Sequence, residues 1–471
     1  MNDMDYIFHP RSIAIVGATS NPLKFGYGYM TSILDLGFKG KLYPINPKRS
    51  EVFGFKAYPS LRDAPRPIDY AISNIPARQV PQMVEDCLAA GVKILQLFTA
   101  GFSETGEDEG IRLEQEMVRI ARKGEVRIIG PNCLGVYCPK IGLAFNGINL
   151  PKESGPVAFI SQSGGNANEL TNIGGLRGIR FSKVVSYGNA CDLNETDFLE
   201  YLAHDPDTEI ITAYIEGVKN GPGFARALRE ATRRKPVIML KGGRTAAGTR
   251  AAASHTGALA GEVEVWDALC RQMGVLQVNS LDEMADLLLA FLYLSIPHGR
   301  NVGVIGLGGG VSVQAADDCE AVGLHVYPLP PEIRAELKKI TPEAGTSIAN
   351  PIDSTLMFSP EEFYKTITIT ASCQQIDLLI IHMTLEFGIG YLGGIQMMQA
   401  VADNVIRAGK KTAKPMAVVL RTAGSLPIWQ GFLELRERFQ KAGFPVFPTV
   451  ASAALALGRF LQYHQNRDRN E

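Results

Sequence analysis

Along this chain, short unbroken apolar runs alternate with longer segments in which apolar residues recur every three or four positions. Residues 12–16 (Ser-Ile-Ala-Ile-Val) form the first run, of the kind a strand covered on both faces shows. Runs at 41–45, 69–73, 94–98 and 126–129 follow, separated by helix-patterned stretches such as 26–36 and 79–90. Strands alternating with helices predict βαβ units and a parallel, doubly wound sheet. The first domain is therefore expected to be Rossmann-like and to span residues 1–150. The pattern restarts at 155–160 and continues through 181–185, 210–215 and 236–240, which predicts a second α/β domain over 151–296. A third begins near Arg300 with 301–305, then 376–383, 415–420 and a helix over 426–441, giving a flavodoxin-like domain over 297–471.

The turns that leave these strands carry the chemistry. After the first strand comes Gly17-Ala-Thr-Ser-Asn-Pro22, where a dinucleotide fingerprint G-x-G-x-x-G would need glycines in place of Thr19 and Pro22. The second strand ends in Asn46-Pro47-Lys48, with no acidic residue to accept a ribose hydroxyl. Lysines at 24 and 48 suit a ligand with additional phosphates, so a nucleotide of the CoA type fits this edge better than NAD. In the second domain Ser161-Gln162-Ser163-Gly164-Gly165 opens a helix; free N–H groups and two hydroxyls there read as an anion cradle, or as a plain serine cap on a tight turn. The strand at 210–215 runs directly into Glu216, a carboxylate at the edge where ligands of open α/β sheets sit.

Residues 241–261 follow the last strand of that domain. With five glycines and seven alanines, they have almost nothing to anchor in a core and read as a mobile loop. In it stands His255, between Ser254 and Thr256. A neutral imidazole is a competent nucleophile toward phosphorus near neutral pH, and a carboxylate beside it would fix its tautomer and stabilise the charged product. The expected constellation is His255 as phosphoryl acceptor, Glu216 as its supporting carboxylate and residues 161–165 as the phosphate cradle. The glycine turn 306–310 of the third domain reads as close helix–strand packing.

Composition narrows the class further. A net charge of −1 excludes a global field for nucleic acid, and no run reaches the length of a membrane span. Seven cysteines without a C-x-x-C pair predict neither a disulfide framework nor a zinc site, and the N-terminus lacks a secretory pattern, so a cytoplasmic setting is expected and no metal site.

The motifs, taken in order, resemble one family. Ser161-Gln-Ser-Gly164, Ser186-Tyr-Gly-Asn189 with Asp192-Leu-Asn-Glu195, Glu200-Tyr-Leu202 with Asp205-Pro-Asp207, and Ser254-His-Thr-Gly257 are similar to the α component of NDP-forming acyl-CoA synthetases, relatives of succinyl-CoA synthetase, with the ADP-forming acetate–CoA ligase branch the nearer match. Gly130-Pro-Asn-Cys-Leu-Gly135 resembles the stretch near the thioester end of CoA, and Asn350-Pro-Ile-Asp353 the additional flavodoxin-like domain of that branch. The resemblance implies a phosphohistidine at His255 supported by Glu216, phosphate held at Ser161, Gln162, Ser163, Gly164 and Gly165, and CoA lined by Gly17, Lys24, Asn46, Pro47, Lys48, Asn132 and Cys133. It implies interconversion of carboxylic acid, CoA and NTP with acyl-CoA, NDP and phosphate through an acyl phosphate. No G-x-x-x-x-G-K-[ST] loop is present and no segment is left for an ATP-grasp module. A β subunit carrying the Mg-nucleotide, in an α2β2 assembly, is therefore expected. The alternative is a ligase-like CoA-binding paralogue that transfers acyl or carbamoyl groups, or regulates, without NTP.

Overall fold

In a computed structural model the described residues are 4–145, 147, 150–256, 263–341, 347–355, 359–391 and 393–468. They fold as two compact units, residues 1–176 with 180–284, and residues 177–179 with 285–471. Among the described residues the first unit holds two large sheets and a small antiparallel pair, Glu51–Val52 with Phe55–Lys56, and the second unit holds one sheet.

The first sheet is built from β1 (Ser12–Val16), β2 (Lys41–Ile45), β3 (Tyr70–Ser73), β4 (Ile94–Leu97) and β5 (Arg127–Ile129), in the order β2-β1-β3-β4-β5 and all parallel. Its central strands are buried on both faces, which is why they read as continuous apolar runs. The second sheet contains β6 (Gly135–Tyr137), β7 (Val157–Ser161), β8 (Phe181–Ser186), β9 (Ile210–Ile215), β10 (Val237–Lys241) and β11 (Leu276–Val278), ordered β11-β10-β9-β7-β8-β6. Only β6 runs antiparallel, against β8. In the second unit β12 (Val302–Gly306), β13 (Ile352–Asp353), β14 (Leu378–Thr384), β15 (Met416–Arg421) and β16 (Val446–Phe447) are ordered β13-β12-β14-β15-β16, all parallel. Leaving β6 aside, the three large sheets share one winding. In each, the direction of winding reverses between the first and third strands, and ligands of such sheets bind at the carboxyl ends there.

Three expectations change. Residues 135–137, placed with the first domain, form an edge strand of the second sheet; the run is too short to be read from periodicity. The stretch expected as a loop after β10 instead contains a helix, Ala246–Thr256. Alanine is the strongest helix former, and Thr245 starts the helix by accepting the Gly248 N–H on its hydroxyl at 3.1 Å. Lastly, β11, β13 and β16 are two or three residues long and left no readable run.

The motif loop 186–195 ties the first unit together. Asn189, Cys191 and Leu193 donate their N–H groups to the carbonyls of Pro131, Gly130 and Ile128, alongside β5. Arg127 adds a two-pronged ion pair to Asp192, with 2.9 and 3.1 Å bonds.

Candidate active site

At the carboxyl edge of the second sheet, β7 ends at Ser161 and the chain turns into the helix Gly164–Arg177. Ser161 is fully buried and its hydroxyl donates to the Ser163 carbonyl at 2.7 Å. The Ser163 hydroxyl accepts the Asn166 N–H at 3.2 Å, answering one of the donors that a helix start leaves without a partner. Both hydroxyls therefore shape the turn, while Ser163, Gly164 and Gly165 line a cavity of about 740 Å³.

Glu216 directly follows β9, the strand beside β7, and is 5% exposed. Its own N–H and that of Gly217 (3.0 Å) both donate to the Gln162 side-chain carbonyl. Tyr214 points to the same face two residues earlier and donates its hydroxyl to Glu216 Oε1 at 3.0 Å. From β10, the buried Lys241 ammonium donates to the Glu216 carbonyl at 2.7 Å and to the Gly242 carbonyl. Burial pulls the Lys241 pKa below the usual lysine range, and the neighbouring Glu216 carboxylate opposes the shift. Burial, reinforced by Glu216, likewise pushes the Tyr214 phenol up. The backbone of Glu216 is thus pinned by Gln162 and Lys241, and its carboxylate, held at Oε1 by the Tyr214 hydroxyl, can stabilise a cationic ring.

The backbone of His255 is the penultimate residue of the helix Ala246–Thr256, and its side chain lies outside what is described. This helix packs against the short turn Ser103–Thr105. That turn belongs to the same rim: Asn189 Nδ2 reaches Ser103 Oγ at 3.3 Å and Glu114 at 3.0 Å.

Asn132 and Cys133 line the cavity together with Gln162. The Cys133 thiol is buried and pushed up to about 12, chiefly by desolvation, so it stays protonated and is not a nucleophile. The remaining residues expected to bind cofactor stand at the carboxyl ends of β1 and β2. Gly17 has φ +87° and donates to the Ile45 carbonyl at 3.0 Å. Asn46 donates to the Ala18 carbonyl at 2.8 Å and accepts the Lys48 N–H at 2.9 Å, so its side chain braces the edge. Lys24, Pro47 and Lys48 are exposed there, and none of these five lines the 740 Å³ cavity. The link between the two groups is Asn74, whose N–H donates to the carbonyl of Val16, the residue before Gly17, at 3.0 Å and which lines the cavity.

Sequence reasoning missed several participants. Phe25 and Phe98, with ring centroids 4.6 Å apart, form an aromatic wall of the cavity beside Asn168 and Thr99. Tyr214 was within reach, since residues two apart on a strand share a face. Gly26 was not: a Cβ there would strike the Gly17 carbonyl oxygen, so this glycine, outside the dinucleotide fingerprint, lets the helix Phe25–Leu36 approach β1. In the second unit, Gly306 leaves room for the imidazole of His382, in line with close packing. The helix start that follows is filled from within, because the Asp353 carboxylate accepts the Gly308 N–H at 2.6 Å.

Among the described residues no helix is long and apolar enough to cross a membrane. Residues 11–139 match the family model of a CoA binding domain, and residues 154–291 that of a succinyl-CoA ligase like flavodoxin domain. The α subunit of ADP-forming acetate–CoA ligase II from Pyrococcus furiosus is 37% identical over 459 residues, covering 96% of this chain and 97% of that one. The ADP-forming acetate–CoA ligase I of Archaeoglobus fulgidus is 37% identical over 423 residues, but the match covers 89% of this chain and 61% of that longer protein. Among solved structures, the dinucleotide-forming acetyl-coenzyme A synthetase 1 of Candidatus Korarchaeum cryptofilum, in complex with phosphate and ADP, matches with TM-score 0.83 and 34% identity over 99% of this chain and 98% of that one.

Proposed function

The chain belongs to the ADP-forming acetate–CoA ligase family as an α subunit, and from that premise we propose that it relays a phosphoryl group through His255. The observation that carries the reading is the Gln162 side chain, which joins the cradle at the start of the helix Gly164–Arg177 to the Glu216 loop. Those two elements meet where the winding of the second sheet reverses, the place a ligand of such a sheet occupies.

CoA lies along the carboxyl edge of the first sheet, with Lys24 and Lys48 offering charge to its phosphates and Gly17, Asn46 and Pro47 shaping the bed. Its thiol end reaches the cavity lined by Asn132 and Cys133. Phosphate at Ser163–Gly165 attacks the acyl carbon of the thioester: a P–O–C bond forms, the C–S bond breaks and the thiolate leaves with a proton. In the next step an imidazole nitrogen of His255 bonds to phosphorus as the P–O bond to the acyl group breaks, and the carboxylate departs. Glu216 stabilises the resulting cationic ring. The amide N–H groups of the helix start hold the phosphoryl oxygens throughout.

Transfer from the histidine to ADP, with its magnesium ion, requires a nucleotide site. We assign it to a β partner of the ATP-grasp type in an α2β2 assembly. The extra length of the Archaeoglobus relative is consistent with a second part joined to this one. The free thiols and ordinary charge balance fit a cytoplasmic enzyme.

Incubation of the chain with acetyl-CoA and labelled phosphate tests the reading. An acid-labile, base-stable phosphate is expected at His255 and is lost in His255→Ala, with CoA binding retained. A stable label elsewhere, or equal labelling of the alanine variant, refutes it.

A further inference from the structure

Asn189, the last residue of the motif Ser186-Tyr-Gly-Asn189, is a buried amide that the proposed reaction does not use; it is 4% exposed. Its Nδ2 donates to Glu104 at 2.5 Å, to Glu114 at 3.0 Å and to Ser103 Oγ at 3.3 Å, so two protons serve three acceptors. The same acceptors shape the turn Ser103–Thr105. Glu104 Oε1 accepts the N–H groups of Gly101 (2.5 Å) and Phe102 (3.1 Å). Glu114, from the helix Asp108–Ala121, accepts the Ser103 hydroxyl at 2.7 Å. Both carboxyl groups thus approach one nitrogen, and without its protons like charges would stand together at the turn.

The backbone of Asn189 is held as well. Its N–H donates to the Pro131 carbonyl at 3.0 Å. Its carbonyl accepts the Lys219 ammonium at 2.8 Å, which also reaches the Ala190 carbonyl at 3.0 Å. Lys219 belongs to the loop that β9 leads into and that Glu216 begins. On either side of Asn189, Gly188 and Ala190 have φ of +53° and +52°; a left-handed alanine persists only where its surroundings hold it. One residue therefore meets both halves of the constellation. Its carbonyl takes the loop of Glu216, and its side chain takes the turn against which the helix carrying His255 packs.

We propose that Asn189 is a positioning residue for His255: by drawing Ser103, Glu104 and Glu114 onto one amide it fixes the turn that seats the helix Ala246–Thr256, and so registers that helix to the Glu216 loop. The part of this inference that concerns the reaction rests on the phosphohistidine reading.

Asn189→Asp tests the seat at nearly constant volume, because it exchanges the donor for a third carboxyl oxygen and leaves the backbone bonds in place. In the full chain, backbone hydrogen exchange over 101–106 and 246–256 is expected to be at least about tenfold faster than wild type, with the peptides of β7 unchanged. Glu114→Ala approaches the turn from the other side, on a helix where alanine is well tolerated. It is expected to speed exchange over both segments at least about threefold, and serves if Asn189→Asp does not fold. Unchanged exchange in both variants overturns the proposal, and so does a loosened turn with 246–256 at its wild-type rate.

Labelling of His255 from acetyl-CoA and phosphate supplies the second readout. Asn189→Asp is expected to lose about 10- to 100-fold in rate, with CoA affinity unchanged by calorimetry. Glu114→Ala is expected to lose about three- to tenfold, and the double variant no more than Asn189→Asp alone, since both act through one turn. A general loss of structure would make the losses add and would lower CoA affinity along with the rate; either result overturns the proposal. Should the wild-type chain take up no phosphate, the phosphohistidine reading falls, while the exchange result still decides whether Asn189 fixes the seat.

Discussion

Replacing Gln162 with leucine keeps nearly the same volume in a position that is 6% exposed, and removes one oxygen. That oxygen accepts two backbone donors, the N–H groups of Glu216 and Gly217. A buried donor left without an acceptor costs about 1–3 kcal/mol, so Gln162→Leu should destabilise the first unit by about 2–6 kcal/mol. Movement of the loop toward water would relieve part of this, which sets the expectation at the lower end, about 2 kcal/mol. The chain has two tryptophans, Trp266 in the first unit and Trp429 in the second. A Trp429→Phe background therefore leaves Trp266, 8% exposed and stacked on Phe224, as a fluorescence reporter for the unit in question. With a urea m-value of about 2–3 kcal/mol/M, the midpoint should fall by roughly 1 M. If the loop moves, Glu216 moves with it, and phosphorylation should fall about 10- to 100-fold, as for loss of an orienting group. A midpoint and a phosphorylation rate both equal to wild type would refute the bridging role of Gln162.

Three further outcomes follow from the same structure. Glu195 is raised from 4.5 to about 7, so the folded state holds its proton more tightly; the associated stability, about 3 kcal/mol, is present below pH 4.5 and lost as pH rises through 7, and Glu195→Gln should flatten a denaturation-against-pH curve over that window. His382, fully buried in the second unit, is lowered from 6.5 to about 4, mainly by burial; about 3 kcal/mol present above pH 6.5 is lost as pH falls through 4, and chemical denaturation of His382→Gln should show a smaller acid loss than wild type. Gly26→Ala places a methyl against the Gly17 carbonyl and should weaken CoA binding at least tenfold by calorimetry while leaving the second unit's transition at its wild-type midpoint.

The strands that were legible are those whose sequence is apolar without interruption, because a strand covered on both faces demands nothing else; β1 and β2 coincide with their runs residue for residue. Short edge strands such as β6 and β13 escaped, since two or three residues cannot display a period. The helix Ala246–Thr256 was obscured by a composition rich in glycine and alanine together, although only Gly248 falls within it. At the site, residue types announced themselves and their partners did not. Glu216 stands out at a strand end, but that Gln162 serves its backbone depends on side-chain reach across elements that no spacing records.

The carboxylate of Asp353, seated on the Gly308 amide, bears on how a threefold architecture divides its labour. Each winding supplies a crevice whose helix start attracts negative charge. In the last copy that demand is met by a permanent tenant from the neighbouring strand, so a free phosphate arriving there would meet repulsion where it needs a donor. The repeated scaffold therefore does not imply a repeated ligand: in the C-terminal copy the glycine-rich turn makes room for the His382 ring and gives its first amide to Asp353.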